Sequence, residues 1–413
     1  MKRILSLALC VLLCALSICS FTSCGQSNEE VVTLYVYNWG EYISDGSEGS
    51  LDVNEAFEKW YNETIGKQKG VRVEVNYSTY SSNEDLYAKL SSGAVNYDVV
   101  VPSDYMVQRL AQEGYLAELN YENIPNIENI LPQFRGEAAY YDIGNKYSVP
   151  YLYGMIGIIY NTTMVAPDDS DIGSWSLMWD EDYTGNILQF NNSRDAFGTA
   201  QYYLGIDVNE ATEEQWRDAL ELLKDQKKIV QGYVMDEIFN KMENGSAAIA
   251  AYYAGDYLAM YEENNDLEFY YPEEGTNLYV DAMCVPKNAN NPEIAEHYIN
   301  FMLSEEAAIA NAEYTYYASP NRLVVESEEY QEYMAEIKED AYEKMYPENV
   351  EATSYKNLTE DKLVLLNKLW EELKSDIDIG IGIYVTCGVI VIGLVIIWIA
   401  YVVRRKSRRK LYE

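Results

Sequence analysis

"LYVYNWGEYIS", residues 34–44, begins as a strand and ends as something else. Side chains alternate sides along an extended chain, so Leu34, Val36 and Asn38 face one way and Tyr35, Tyr37 and Trp39 the other. Where the strand should stop, Trp39, Glu41 and Tyr42 gather around Gly40. A turn that buries its aromatics is one reading of that gathering. A pocket for something cationic and greasy is the other.

Working outward, residues 32–37 read as a strand and 52–64 as a helix with Phe57, Trp60 and Tyr61 on one face. Val71, Val73 and Val75 alternate with polar residues in a second strand. Residues 83–92 are helical and capped by Ser82, "YDVVVPS" is a short buried strand, and 106–112 are helical again. This β-α-β-α order predicts an open α/β sheet with mainly parallel strands. After Pro150 the pattern restarts, with strands at "MIGIIYN", "SAAIAAYYAGD" and "NLYVDAMCVP" and helices at 213–226, 292–303 and 359–376. The roughly 350 residues between Gly25 and Asp378 suit two lobes.

The chain ends read differently. Lys2 and Arg3 precede an apolar stretch that closes in Phe21-Thr22-Ser23-Cys24, as in an export signal with a lipobox. Residues 1–24 are therefore expected to be a lipoprotein signal peptide, with Cys24 carrying the lipid anchor and 25–30 acting as a tether. Residues 379–403 contain no charged side chain. As a helix they extend roughly 37 Å, enough to cross a hydrocarbon core of about 30 Å. The basic tail at 404–413 is then cytoplasmic and the binding domain lies outside.

Composition excludes several classes. The net charge is −37, and about −44 once the basic ends are set aside, a field that repels nucleic acid and draws in cations. Cys284 is the one cysteine of the exported part, so neither a disulfide framework nor a cysteine metal site is available there. His297 is the sole histidine, which weighs against zinc sites and histidine-based catalysis. There is no phosphate-binding loop and no nucleophile elbow. "DDSDIG" (168–173) lacks the acidic residue a calcium loop requires and reads as a solvated turn. No enzyme, cofactor or metal is expected.

Open α/β sheets hold ligands beyond the carboxyl ends of their strands. Read in order, those exits offer Trp39, Glu41 and Tyr42, then Ser103, Asp104 and Tyr105. Next come Asn192, Ser193 and Asp195, then Tyr252, Tyr253 and Asp256, and last Tyr279 and Asp281. Rings beside carboxylates or amides recur, in a chain with 40 tyrosines. Ammonium groups take carboxylates in charge-assisted hydrogen bonds and ring faces at about 0.5–2 kcal/mol each. Methylene chains take flat apolar walls at roughly 0.8 kcal/mol per CH₂. A linear polyamine uses both.

Seven stretches carry a resemblance in their order and spacing: "YNWGEYI" (37–43), "STYSSNEDLYAKL" (78–90), "YDVVVPSDYMV" (97–107), "SVPYLYGMIGIIYN" (148–161), "SWSLMWDEDYTG" (174–185), "NNSRDAFG" (191–198) and "YTYYASPN" (314–321). Over about residues 31–375 the chain resembles the periplasmic spermidine/putrescine-binding proteins of bacterial polyamine ABC transporters. The resemblance implies the two-lobed type II solute-binding fold with a ligand cleft between lobes. Its lobes are expected at 31–140 (lobe 1), 141–252 (lobe 2), 253–310 (lobe 1) and 311–376 (lobe 2), followed by the C-terminal transmembrane helix.

The resemblance implies aromatic walls from Trp39, Tyr42, Tyr105, Tyr253, Tyr279 and Tyr233. It implies ammonium partners Asp195, Asp256 and Asp281 and hydrogen bonds from Ser103 and Asn192. Ser193 and Arg194 stand on the same stretch, and Glu313 is expected near the cleft rim. Glu41 is left open between binding and holding the turn. Polyamine and permease subunits are the implied partners, at the outer face of the cell membrane. Two departures stand out. The family commonly has an acidic residue where this chain has Asn192, which leaves spermidine and putrescine as alternatives. Family members usually lack a C-terminal span, so this chain reads as a tethered receptor or as a ligand sensor.

Overall fold

The computed structural model describes residues 30–375. The expected signal peptide with Cys24, the apolar run 379–403 and the basic tail 404–413 lie outside the described residues. Among the described residues, no helix is long and apolar enough to cross a membrane. Two compact units divide at Glu360. Every described strand belongs to the first.

β1 (Glu30–Trp39) pairs in parallel with β2 (Val71–Tyr80) and β3 (Val99–Val100). Its connection to β2 runs through α1 (Val53–Tyr61), whose first turn is closed by Asp52 accepting from the Glu55 amide at 2.9 Å. α2 (Asn83–Ser92) starts at its Ser82 cap as expected and stops at Gly93 in the left-handed region. α3 (Asp104–Gln112) follows β3 at once, beginning two residues earlier than the periodicity suggested.

β4 (Ser148–Asn161) is the long strand of the sheet. Its first half pairs antiparallel with β9 (Thr276–Cys284), and residues 156–161 pair antiparallel with β7 (Ile249–Tyr253) and β8 (Leu267–Tyr270). The register slips between Pro150 and Leu152, where proline has no N–H to give the ladder. β5 (Ile187–Phe190) pairs in parallel with β6 (Val230–Val234) and β7. β5 leads into α4 (Ser193–Tyr203) and α5 (Glu213–Lys227). β7 leads into α6 (Ala254–Glu263). After β9 come α7 (Pro292–Met302), α8 (Glu305–Thr315) and β10 (Ala352–Thr353). The strand order is β2-β1-β3-β9-β4-β7-β5-β6, with β8 on β4 and β10 on β9.

The expectation of a mainly parallel sheet needs correction. The sheet is mixed, because β4 runs antiparallel to β7, β8 and β9, and β9 runs antiparallel to β3 as well. Their hydrophobic runs look the same in sequence as buried parallel strands, since both faces are covered either way. β7 and β8 pair with β4, β7 also pairs with β5, and the chain meets β3 again in β9.

Each strand group has its own packing. Leu86, Leu90, Val107 and Leu110 are buried with Tyr37 and Tyr80 on one side. On the other, Trp216, Leu220 and Leu223 of α5 are buried, and the Trp216 ring lies 5.5 Å from that of Phe197. Side chains of this size contribute about 1.5–3 kcal/mol each on full burial. In the second unit the described residues are helical, within α9 (Glu360–Ser375), and Leu366, Leu369 and Leu373 are its buried stripe.

Candidate functional site

A pocket forms where the carboxyl ends of β1, β3, β5, β6 and β7 converge. The space within it is about 780 Å³, mouth included. Ten of the fourteen expected ligand residues line it: Trp39, Tyr42, Ser103, Tyr105, Asn192, Asp195, Tyr253, Asp256, Tyr279 and Asp281. Tyr279 and Asp281 reach it differently from the rest. They lie in mid-strand on β9, and with Asn277 they occupy alternate positions, so one face of this strand lines the pocket.

Asp281 is held from two elements. Its Oδ2 accepts from the Tyr42 hydroxyl at 2.7 Å and its Oδ1 from the Ser103 hydroxyl at 2.7 Å. Ser103 is itself fixed by Asn83, whose Nδ2 donates to its Oγ at 3.1 Å. Burial still pushes the Asp281 carboxyl up to about 6. Asp195 accepts from the Tyr253 hydroxyl at 2.8 Å, and burial pushes it up to about 7. Asp256, in the first turn of α6, is pushed up to about 8, by burial first and then by the nearby charges of Asp236 and Glu41, against a hydrogen bond from Tyr317. Each of these acids is costly to ionise while the pocket holds no cation.

The aromatic walls are tied down too. Trp39 Nε1 donates to the Val101 carbonyl at 2.9 Å, and its ring lies 4.6 Å from Tyr80. Tyr42 meets Tyr317 edge-on at 4.7 Å, and Tyr253 meets Tyr279 at 5.3 Å. Three of these rings depend on a glycine. A Cβ on Gly198 would sit 1.9 Å from the Tyr355 hydroxyl, one on Gly255 2.3 Å from the Tyr317 ring, and one on Gly154 2.4 Å from the Tyr279 hydroxyl. None of these spaces exists beside any larger residue.

The four remaining expected residues lie elsewhere. Ser193 opens α4 and does not line the pocket. The same holds for Tyr233, half-buried on β6. Arg194 is buried behind the pocket wall, donating to the Val208 carbonyl at 3.1 Å with its guanidinium 4.3 Å from the Tyr355 ring. Glu313 lines an adjoining groove, which meets the pocket at Glu41, Phe239 and Asp256. Asn192 does line the pocket, yet its side-chain oxygen caps α4, accepting from the Arg194 amide at 2.9 Å and the Asp195 amide at 3.4 Å.

Several lining residues escaped the sequence reading. Asp236 follows β6, a strand that was not read. A Cβ on Gly40 would lie 3.3 Å from its Oδ2, so the exits of β1 and β6 nearly touch. Asn277 was readable from two-residue alternation with Tyr279 and Asp281. Tyr317 and Tyr355 come from loops, where no periodicity marks them. Asp104, at the β3 exit, lines the pocket while buried, accepting from Tyr140 and from the Tyr105 amide. The acidic turn at 168–173 brings Asp169 and Asp171 to Asp180, with oxygens within 4.8 Å of one another, but none of the three lines the pocket.

Comparison with known proteins agrees with this picture. The profile of the bacterial extracellular solute-binding protein family matches residues 55–338. A spermidine/putrescine-binding periplasmic protein of Salmonella typhimurium is 32% identical over 292 residues, covering 70% of this chain and 78% of the relative. A putrescine/cadaverine-binding protein of Pseudomonas aeruginosa is 28% identical over 362 residues, covering 83% and 93%. Among solved structures, the substrate-binding protein of a spermidine/putrescine ABC transporter from Streptococcus pneumoniae superposes with a TM-score of 0.64. It is 30% identical, with 83% of this chain and 98% of that one covered. Such proteins bind solutes and are not enzymes. With the profile matching well over half of the chain, this chain belongs to the bacterial extracellular solute-binding protein family.

Proposed function

We propose that the chain captures polyamines, spermidine or putrescine, and delivers them to the permease of an ABC transporter. The observation that carries this reading is the lining itself. Buried Asp195, Asp256 and Asp281 alternate with aromatic faces, and none of the described lining residues is basic. An ammonium would offset the charge that makes these acids costly, and rings would cover the methylenes between ammonium groups. An anionic ligand would find no cationic side chain among the described lining residues. The printed names of the relatives support the same ligand class.

In this reading the two strand groups are lobes, β4 and β9 are the strands that bend between them, and closure excludes water from the ion pairs. The sequence supports two attachments to the cell membrane, a lipid on Cys24 and a helix at 379–403. Together they hold the receptor beside its permease, the span adding an effectively irreversible anchor to the lipid. A second reading keeps the fold and takes another cationic solute. Asn192 favours it, because its oxygen is committed to the α4 cap and its amide nitrogen offers an ammonium nothing.

Calorimetry on the full-length chain in detergent tests both. Putrescine and spermidine are titrated, with an amino acid and a sugar as controls. Binding of either polyamine that is lost in Asp256→Ala and Trp39→Ala upholds the proposal. Silence with both polyamines overturns the ligand assignment and leaves the fold.

A further inference from the structure

We infer that residues 352–357 form a strap that rides with the second lobe and clasps α3 only while the pocket is closed. The inference rests on the pocket being the ligand site.

The strap is anchored unequally. On the side of α4 its backbone is held at consecutive positions. β10 pairs with Thr276 and Asn277 of β9, and the Tyr202 hydroxyl donates to the Thr353 carbonyl at 3.2 Å. Asn209 then grips both sides of Tyr355: its Nδ2 donates to the Ser354 carbonyl at 2.9 Å and its Oδ1 accepts from the Lys356 amide at 2.8 Å. Tyr355 is buried between the pocket, Gly198 and the Arg194 guanidinium. These partners all sit on α4, the loop after it, or the start of β9.

One residue further on, the partners change. The Asn357 amide donates to Gln108 Oε1 at 2.9 Å, and Asn357 Nδ2 donates to Gln112 Oε1 at 3.0 Å. Gln108 and Gln112 are four apart on α3 and share a face. The contact to Gln112 is exposed, and on this side Ser354 and Tyr140 share a side-chain hydrogen bond. α3 is therefore one rigid rod with two ends in play. Its N-terminus brings Ser103 and Tyr105 to the pocket, and its later turns hold the strap. A ligand that draws Tyr105 toward Asp195 moves Gln108 and Gln112 onto Asn357 as well.

Adjacent amides make the test sharp. Amide hydrogen exchange is followed at Lys356 and Asn357 in the full-length chain, as protection factors. Without ligand, Asn357 is expected to be less protected than Lys356 by about tenfold or more, since local openings differ in free energy. Spermidine or putrescine should raise Asn357 to the level of Lys356. In Gln108→Ala/Gln112→Ala the rise should vanish and ligand koff should increase about tenfold, with kon within about twofold. Gln108→Glu, which keeps the acceptor, should restore it. Equal protection without ligand overturns the inference. So does polyamine binding that leaves Asn357 unprotected, or an unchanged koff in the double variant. If neither polyamine binds, the ligand reading falls, and the ligand-free comparison still decides whether the strap parts between Lys356 and Asn357.

Discussion

The Tyr42 hydroxyl donates to Asp281 Oδ2 at 2.7 Å, joining the exit of β1 to the middle of β9. This bond, with the one from Ser103, holds the carboxylate where a ligand would meet it. A hydrogen bond to a charged group contributes about 1.5–3 kcal/mol. Tyr42→Phe is thus expected to weaken polyamine binding by about tenfold, and Asp281→Asn by more than about a hundredfold, as read by calorimetry at pH 8. Tighter binding by Tyr42→Phe would show that the hydroxyl competes with the ligand.

Binding should depend on pH in a defined direction. Burial raises Asp281, Asp195 and Asp256 to about 6, 7 and 8, whereas an unfolded aspartate titrates near about 3.9. For such groups the stabilisation is complete below the unfolded value and is lost as pH rises through the folded one. The empty chain therefore loses stability from these acids between about pH 4 and pH 8. Removing one relieves it, so the gain in Tm from Asp256→Asn should grow from pH 5 to pH 8. A bound ammonium needs the ionised acid. Polyamine affinity should accordingly rise over the same window, with protons released on binding. Affinity that stays flat from pH 5 to pH 8 would contradict the pocket chemistry.

Gly198→Ala should evict Tyr355. The added Cβ would lie 1.9 Å from its hydroxyl and 3.1 Å from the carbon that bears it. Such overpacking costs about 1–3 kcal/mol, and ligand binding should weaken along with it. Tyr355→Phe removes the worst contact. Its combination with Gly198→Ala should recover part of the lost stability, and additive losses in a denaturation series would exclude this explanation.

Glu41 adopts φ 48°, a left-handed conformation, at the pocket rim. Glu41→Gly should stabilise the empty chain by about 0.5–1 kcal/mol by removing that strain. The same variant resolves its role. Unchanged polyamine affinity means that Glu41 only shapes the turn, and weaker binding means that its carboxylate takes part.

Much of this site was legible because its parts are local. Trp39 and Tyr42 follow β1 directly, Ser103 and Tyr105 follow β3, and Asp195 and Asp256 open the helices after β5 and β7. A strand, its exit and the next helix turn form one short window of sequence. What failed needed information from elsewhere. Arg194 and Asp195 are neighbours, but a helix turns about 100° per residue, and only tertiary packing decides which of them faces the pocket. Tyr317 and Tyr355 are placed by glycines far along the chain. The antiparallel course of β4 and β9 was hidden because burial on both faces erases alternation.

β9 does two jobs with one stretch of backbone. Asn277, Tyr279 and Asp281 line the pocket, and the same residues lie in the strand that pairs with β4 and, at its far end, with β3. On the proposed closure, selectivity and flexural stiffness are therefore not separable at these positions. An engineer who retunes the receptor through Tyr279 or Asp281, for instance to build a fluorescent reporter, changes the bending response along with the ligand preference. If β9 bends as proposed, changes confined to α4 or α6 should alter recognition while leaving the spring untouched.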